Sequence, residues 1–144
     1  MGWIAVDLDG TLATGHDLYR IGPPVLLMVA RVKLWREAGE DVRIFTARVG
    51  PVTPEEALGA LLAADIEAGP NPRLDWLNFQ TSLIEAWCRP QLGEVLPLTA
   101  TKDLHMVQLW DDICVQVVPN TGEVLTQQLD EARLRIKELE ERKP

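Results

Sequence analysis

The first apolar run of the chain, residues 3–8, is short and β-rich, the pattern of a buried strand. It ends on two aspartates one residue apart, Asp7 and Asp9, with Gly10 and Thr11 directly behind them. Like charges this close raise each other's cost of ionisation. A purely structural segment gains nothing from them, so this strand end is marked for chemistry.

The same plan recurs. Val42, Ile44 and Phe45 predict a second strand that stops at Thr46, and a third, short strand is expected at about residues 95–99. A fourth, in MVQLWDD, ends in a second acidic pair, Asp111 and Asp112, and a fifth is expected in ICVQVVPNTGE, closed by a turn at residues 119–122. Helical signals fill the intervals. Val25, Met28, Val29, Val32 and Trp35 share one helical face, with Gly39 as a stop. Thr53 is placed as an N-cap, with Pro54 as the first helical residue and Glu56 closing a capping box. Asn71-Pro72 starts another helix, expected over residues 74–88 and ending before Pro90. From about residue 123 to 142 the chain reads as a charged amphipathic helix. Strands alternating with helices imply an α/β layer structure with a mostly parallel central sheet. In such sheets ligands bind outside the carboxyl ends of the strands, where the acidic pairs and Thr46-Ala47-Arg48 fall.

A chain of 144 residues suggests one domain, residues 1–144, with a real core. Its apolar runs are too short to span a membrane, and no basic stretch leads into a long apolar one at the start, so a cytoplasmic protein is expected. Cys88 and Cys114 sit in apolar neighbourhoods outside any C-x-x-C pair and read as buried thiols in a reducing compartment. His16 and His105 form no zinc spacing. A formal net charge of −8 makes nucleic acid an unlikely partner but leaves room for a small anionic substrate, because a bound divalent cation inverts the local field.

Four aspartates converging on one sheet edge need compensation. A hard divalent cation with oxygen ligands, Mg²⁺ by preference, supplies it and draws in phosphate oxygens. Asp7 could then attack phosphorus, and Asp9 could protonate the leaving oxygen. Here VDLDGTLA resembles motif I of the haloacid dehalogenase superfamily, DxDGT. Thr46 in RIFTAR looks like motif II, Lys102 in ATKD like motif III, and LWDD like the DD form of motif IV. The resemblance runs from residue 3 to about residue 122. It implies a Rossmann-like three-layer fold and Mg²⁺-dependent phosphoryl transfer through an aspartyl-phosphate.

Carried over residue by residue, Asp7 is nucleophile and metal ligand, and Asp9 is general acid/base with its backbone carbonyl on the metal. Thr46 bonds the phosphoryl oxygens, Lys102 offsets charge, and Asp111 and Asp112 complete the metal site. Gly10, Thr11, Ala47 and Arg48 are candidate substrate contacts, Arg48 through its guanidinium fork or else as a surface charge. Because side chains alternate along a strand, Asp111 is expected as direct ligand and Asp112 as its support. Val25 follows Thr11 by only fourteen positions, so no cap domain fits there, and the longer interval from Thr46 to Lys102 reads as two helices and a strand, which suits a minimal or capless member. Lys102 precedes Asp111 by nine positions, a compact spacing that does not by itself exclude Lys33.

The expected function is phosphomonoester hydrolysis on a small phosphorylated substrate. A polynucleotide 3′-phosphatase and a non-catalytic binding domain of the same fold are the alternatives. His16, on the loop after motif I, reads as a solvated histidine, and the five tryptophans as core. Leu125, Leu129, Ala132, Ile136 and Leu139 form a seam of about two heptads, suited to packing on the protein's own sheet or to a homodimer contact.

Overall fold

The computed structural model describes residues 2–142, apart from the side chains of residues 127–129. The seam position Leu129 therefore lies outside the described side chains. The chain divides after Asp112 into two units.

In the first unit, β1 (Trp3–Val6), β2 (Asp41–Phe45), β3 (Leu98–Thr99) and β4 (Met106–Trp110) form one sheet in the order β3-β2-β1-β4. All three pairings are parallel. The fold is thus α/β with an all-parallel sheet, compatible with a Rossmann-like arrangement. β1 lies between β2 and β4, so the chain leaves it toward one side first and returns to the other side last. That is a topological switch point, where the loops leaving adjacent strands part and open a crevice.

The helices form where the sequence signals lie. α1 (Leu26–Glu37) buries Met28, Val29 and Val32, and Gly39 follows it at φ +85°. α2 (Pro54–Ala63) is capped by Thr53, whose hydroxyl accepts from the Glu56 N–H at 3.1 Å. α3 (Pro72–Leu92) starts at the Asn71 cap and runs through Pro90 instead of stopping before it. Pro90 lies in the last turn; it forgoes the bond an N–H there would make to the carbonyl of Ala86, but only two helical residues follow it, and Gly93 at φ +80° closes the helix. Met28, Val29 and Val32 of α1, and Ile84, Trp87, Cys88 and Leu92 of α3, pack with Ile4, Val6, Val42 and Ile44 on one face of the sheet. On the opposite face the Arg43 guanidinium stands 4.6 Å from the Trp3 ring centroid. A smaller core joins α2 to α3 through Ala57, Leu61 and Trp76. Trp3, Trp76 and Trp87 are buried, and Trp35 packs against Trp110 with tilted rings, centroids 5.1 Å apart, so the tryptophans serve packing.

In the second unit the fifth strand is reduced to one antiparallel bridge, Val117 to Val124. The turn at residues 119–122 folds the run back: the Val118 N–H donates to the Glu123 carbonyl and the Leu125 N–H to the Gln116 carbonyl. Ile113, Val115 and Val117 are consequently exposed, as is Cys114, contrary to its expected burial; Cys88 is buried as expected. α4 (Leu125–Glu141) follows, with Ile136 and Leu139 more than half exposed.

The Ile84 side chain is fully buried between α3 and the sheet. Ile84→Ala is expected to lower unfolding free energy by about 2–5 kcal/mol, read from the midpoint shift in a urea titration.

Candidate functional site

The Asp7 N–H donates to the Trp110 carbonyl at 2.8 Å, which binds the end of β1 to the end of β4. That one bond sets Asp7 beside the two residues that follow β4. Asp7, Asp111 and Asp112 each present a carboxylate oxygen, and these atoms lie within 4.8 Å of one another. Asp111 and Asp112 both lie past the last residue of β4. Strand alternation no longer governs them there, and both reach the cluster.

The backbone after β1 makes this approach possible. Leu12 and Ala13 donate to the Leu8 carbonyl, and Gly10 donates to the Ala13 carbonyl, closing a tight loop. Gly10 sits at φ +87°, and a Cβ there would stand 2.3 Å from Asp112 Oδ2. The positive φ favours glycine, and a Cβ would displace the Asp112 carboxylate from this position. Thr11 donates its hydroxyl to Asp7 Oδ2 at 3.2 Å.

Crowding has an electrostatic consequence. The Asp7 carboxyl is pushed from 3.8 up to about 7, first by burial, then by the Asp111 charge and by its hydrogen bond with Asp112; the Thr11 hydroxyl offsets part of this. Three oxygen donors at this spacing, one of them reluctant to ionise, fit a hard divalent cation such as Mg²⁺.

Asp9 faces elsewhere. Its two oxygens accept from Arg48 Nη2 at 2.6 Å and Nε at 2.7 Å. The Arg48 side chain is 1% exposed. Its remaining hydrogen bonds go to Gln80 Oε1 and to the carbonyls of Asp17, Leu18 and Arg20. A guanidinium has five N–H donors, and each has a protein acceptor here. Arg48 is therefore neither a surface charge nor open to a ligand. Gln80, fully buried, also donates to the Leu18 carbonyl at 2.7 Å. Sequence reading missed Gln80, though a signal existed: it interrupts the buried face Trp76, Ile84, Cys88 of α3.

Thr46 is 3% exposed and caps a short 3-10 turn, Ala47–Val49, by accepting from the Arg48 N–H. Ala47 is exposed at the start of that turn. Lys102 is exposed in the loop after β3. His16 is exposed as expected, but its ring passes over Gly10, and Nε2 lies 3.8 Å from Asp112 Oδ2.

Compared with family models, with curated proteins and with solved structures, the chain matches none. No helix among the described residues is long and apolar enough to cross a membrane.

A carboxyl at about 7 when folded and 3.8 when unfolded makes the folded chain hold a proton that the unfolded chain releases. The stabilisation this gives is complete below about pH 4 and is lost as pH rises through about 7. In metal-free protein, the Tm of wild type relative to Asp7→Asn is therefore expected to fall across that window. A constant difference would contradict the crowding described here.

Proposed function

We propose that the protein is a Mg²⁺-dependent phosphomonoesterase of the haloacid dehalogenase type, without a cap domain, acting on a small phosphorylated substrate in the cytoplasm. The observation that carries the reading is the convergence of Asp7, Asp111 and Asp112 at the switch point of a parallel sheet. It is joined to the DxDGT pattern that puts Asp9 two residues after Asp7.

In this reading Asp7 attacks phosphorus in line. The ester P–O bond breaks, and the leaving oxygen takes a proton from Asp9. Asp9 then accepts a proton from water as that water attacks the aspartyl-phosphate. The bond from Asp7 to phosphorus breaks, inorganic phosphate leaves, and both carboxyl groups return to their starting states. Asp7, Asp111 and Asp112 would hold Mg²⁺, which when bound neutralises their charge and that of the phosphoryl oxygens. Thr46 would donate its hydroxyl to a phosphoryl oxygen, beside the exposed Ala47. Lys102 would add positive charge from the loop after β3. Gly10 and Thr11 shape the floor beneath the phosphoryl group.

Hydrolysis of p-nitrophenyl phosphate by purified protein tests this. Activity is expected with Mg²⁺, is expected to vanish on exhaustive chelation, and should return when Mg²⁺ is restored. Asp7→Asn should reduce turnover to background while its circular dichroism spectrum matches wild type. Undiminished hydrolysis by a folded Asp7→Asn protein would remove Asp7 as nucleophile, and full activity without metal would remove the cation.

A further inference from the structure

We infer that Arg48 is a positioning residue: held by Gln80, it fixes the carboxyl of Asp9 at the edge of the site and does not touch the substrate. The inference rests on the phosphatase reading above and adds two residues to it in roles of their own.

A fully buried arginine is rare unless it is paired and its donors are satisfied. Arg48 meets both conditions, with a two-pronged grip on Asp9 and four further bonds. Such a fork fixes the plane and direction of a carboxylate, which a lysine ammonium does not. A carboxyl group that carries the proton it is to donate still has acceptor capacity on its oxygens beside the O–H. Arg48 donates one bond to each oxygen, and the Asp9 side chain keeps 16% of its surface exposed. One edge of the carboxyl is thus held and the other left open.

Gln80 determines where the fork stands. Its Oε1 accepts from Arg48 Nη1 at 3.0 Å, and its Nε2 donates to the Leu18 carbonyl. Arg48 Nη1 donates to the same carbonyl at 3.3 Å. The amide thus has one orientation that serves both partners. α3 is the longest helix among the described residues, and Gln80 lies near its middle, so the group behind Asp9 is anchored on a regular element.

Three roles for Arg48 make different predictions. A substrate clamp changes KM and phosphate affinity. A clip for the loop at residues 17–20 changes stability alone. A positioning residue changes kcat, and most for substrates whose leaving oxygen needs a proton. The probes are glycerol 2-phosphate, a poor leaving group, and p-nitrophenyl phosphate, a good one. Gln80→Met keeps volume but loses both bonds. It should lower kcat on glycerol 2-phosphate about tenfold, the worth of one lost hydrogen bond. Its KM should stay within about twofold, and its kcat on the aryl ester should fall less. Arg48→Lys keeps the charge and loses the fork, and should lower kcat on glycerol 2-phosphate about 100-fold. If Gln80→Met does not fold, Arg48→Lys carries the same readouts.

A raised KM with weaker inhibition by inorganic phosphate would overturn the proposal in favour of the clamp. Lowered Tm with unchanged kcat would overturn it in favour of the clip. Crystal structures of wild type and Gln80→Met give a readout free of activity. Asp9 turned from its wild-type orientation supports the positioning role, and an unmoved Asp9 overturns it. If wild type hydrolyses neither ester, the phosphatase reading fails, and the crystal comparison still decides what holds Asp9.

Discussion

Repulsion among Asp7, Asp111 and Asp112 is the constraint to which the rest of the site answers. Three carboxylates with oxygens within 4.8 Å are unfavourable in metal-free protein, and burial together with this crowding pushes Asp7 up to about 7. The sheet imposes it. The hydrogen bond from Asp7 to the Trp110 carbonyl locks β1 to β4 at their ends, so neither acidic segment can retreat without breaking the sheet. Gly10 completes the arrangement by leaving space for Asp112 where any Cβ would collide. Covering Ile4, Val6, Val42 and Ile44 with α1 and α3 makes the sheet rigid enough to bear it.

Asp9 and Asp7 are two residues apart and live in opposite electrostatic settings. Asp7 faces like charge, and Asp9 faces a buried guanidinium. This division gives one strand end two carboxyl groups in different surroundings, and the proposed nucleophile and acid roles rest on that difference. The separation depends on parts far away in sequence: Arg48 from the turn after β2 and Gln80 from the middle of α3.

The parallel sheet and the acidic cluster were legible in the sequence because both are written locally. Apolar runs ending at Asp7, Thr46 and Asp111 announce strand ends, and parallel order brings strand ends together. Thr53, Asn71 and Gly39 marked helix boundaries through capping chemistry that acts within a few residues. What was not legible depended on distant partners. The apolar alternation at Ile113, Val115 and Val117 has a strand's period, yet the turn after it folds the run back on itself. Arg48 carried no sign that Asp9 would meet it in the core. Helix α3 outran its expected end by a few residues, and Pro90 stands so near that end that little of the helix depends on the bond it forgoes.

The central claim is that Asp7 uses its carboxylate to take the phosphoryl group. The most direct test is to mix the protein with Mg²⁺ and a radiolabelled phosphomonoester, quench in acid within one turnover, and map any label by peptide mass spectrometry. The account predicts an acid-stable, hydroxylamine-sensitive phosphoryl group on Asp7 that forms and decays at rates consistent with turnover. Steady hydrolysis with no labelled protein at any quench time, or with label on another residue, would contradict it.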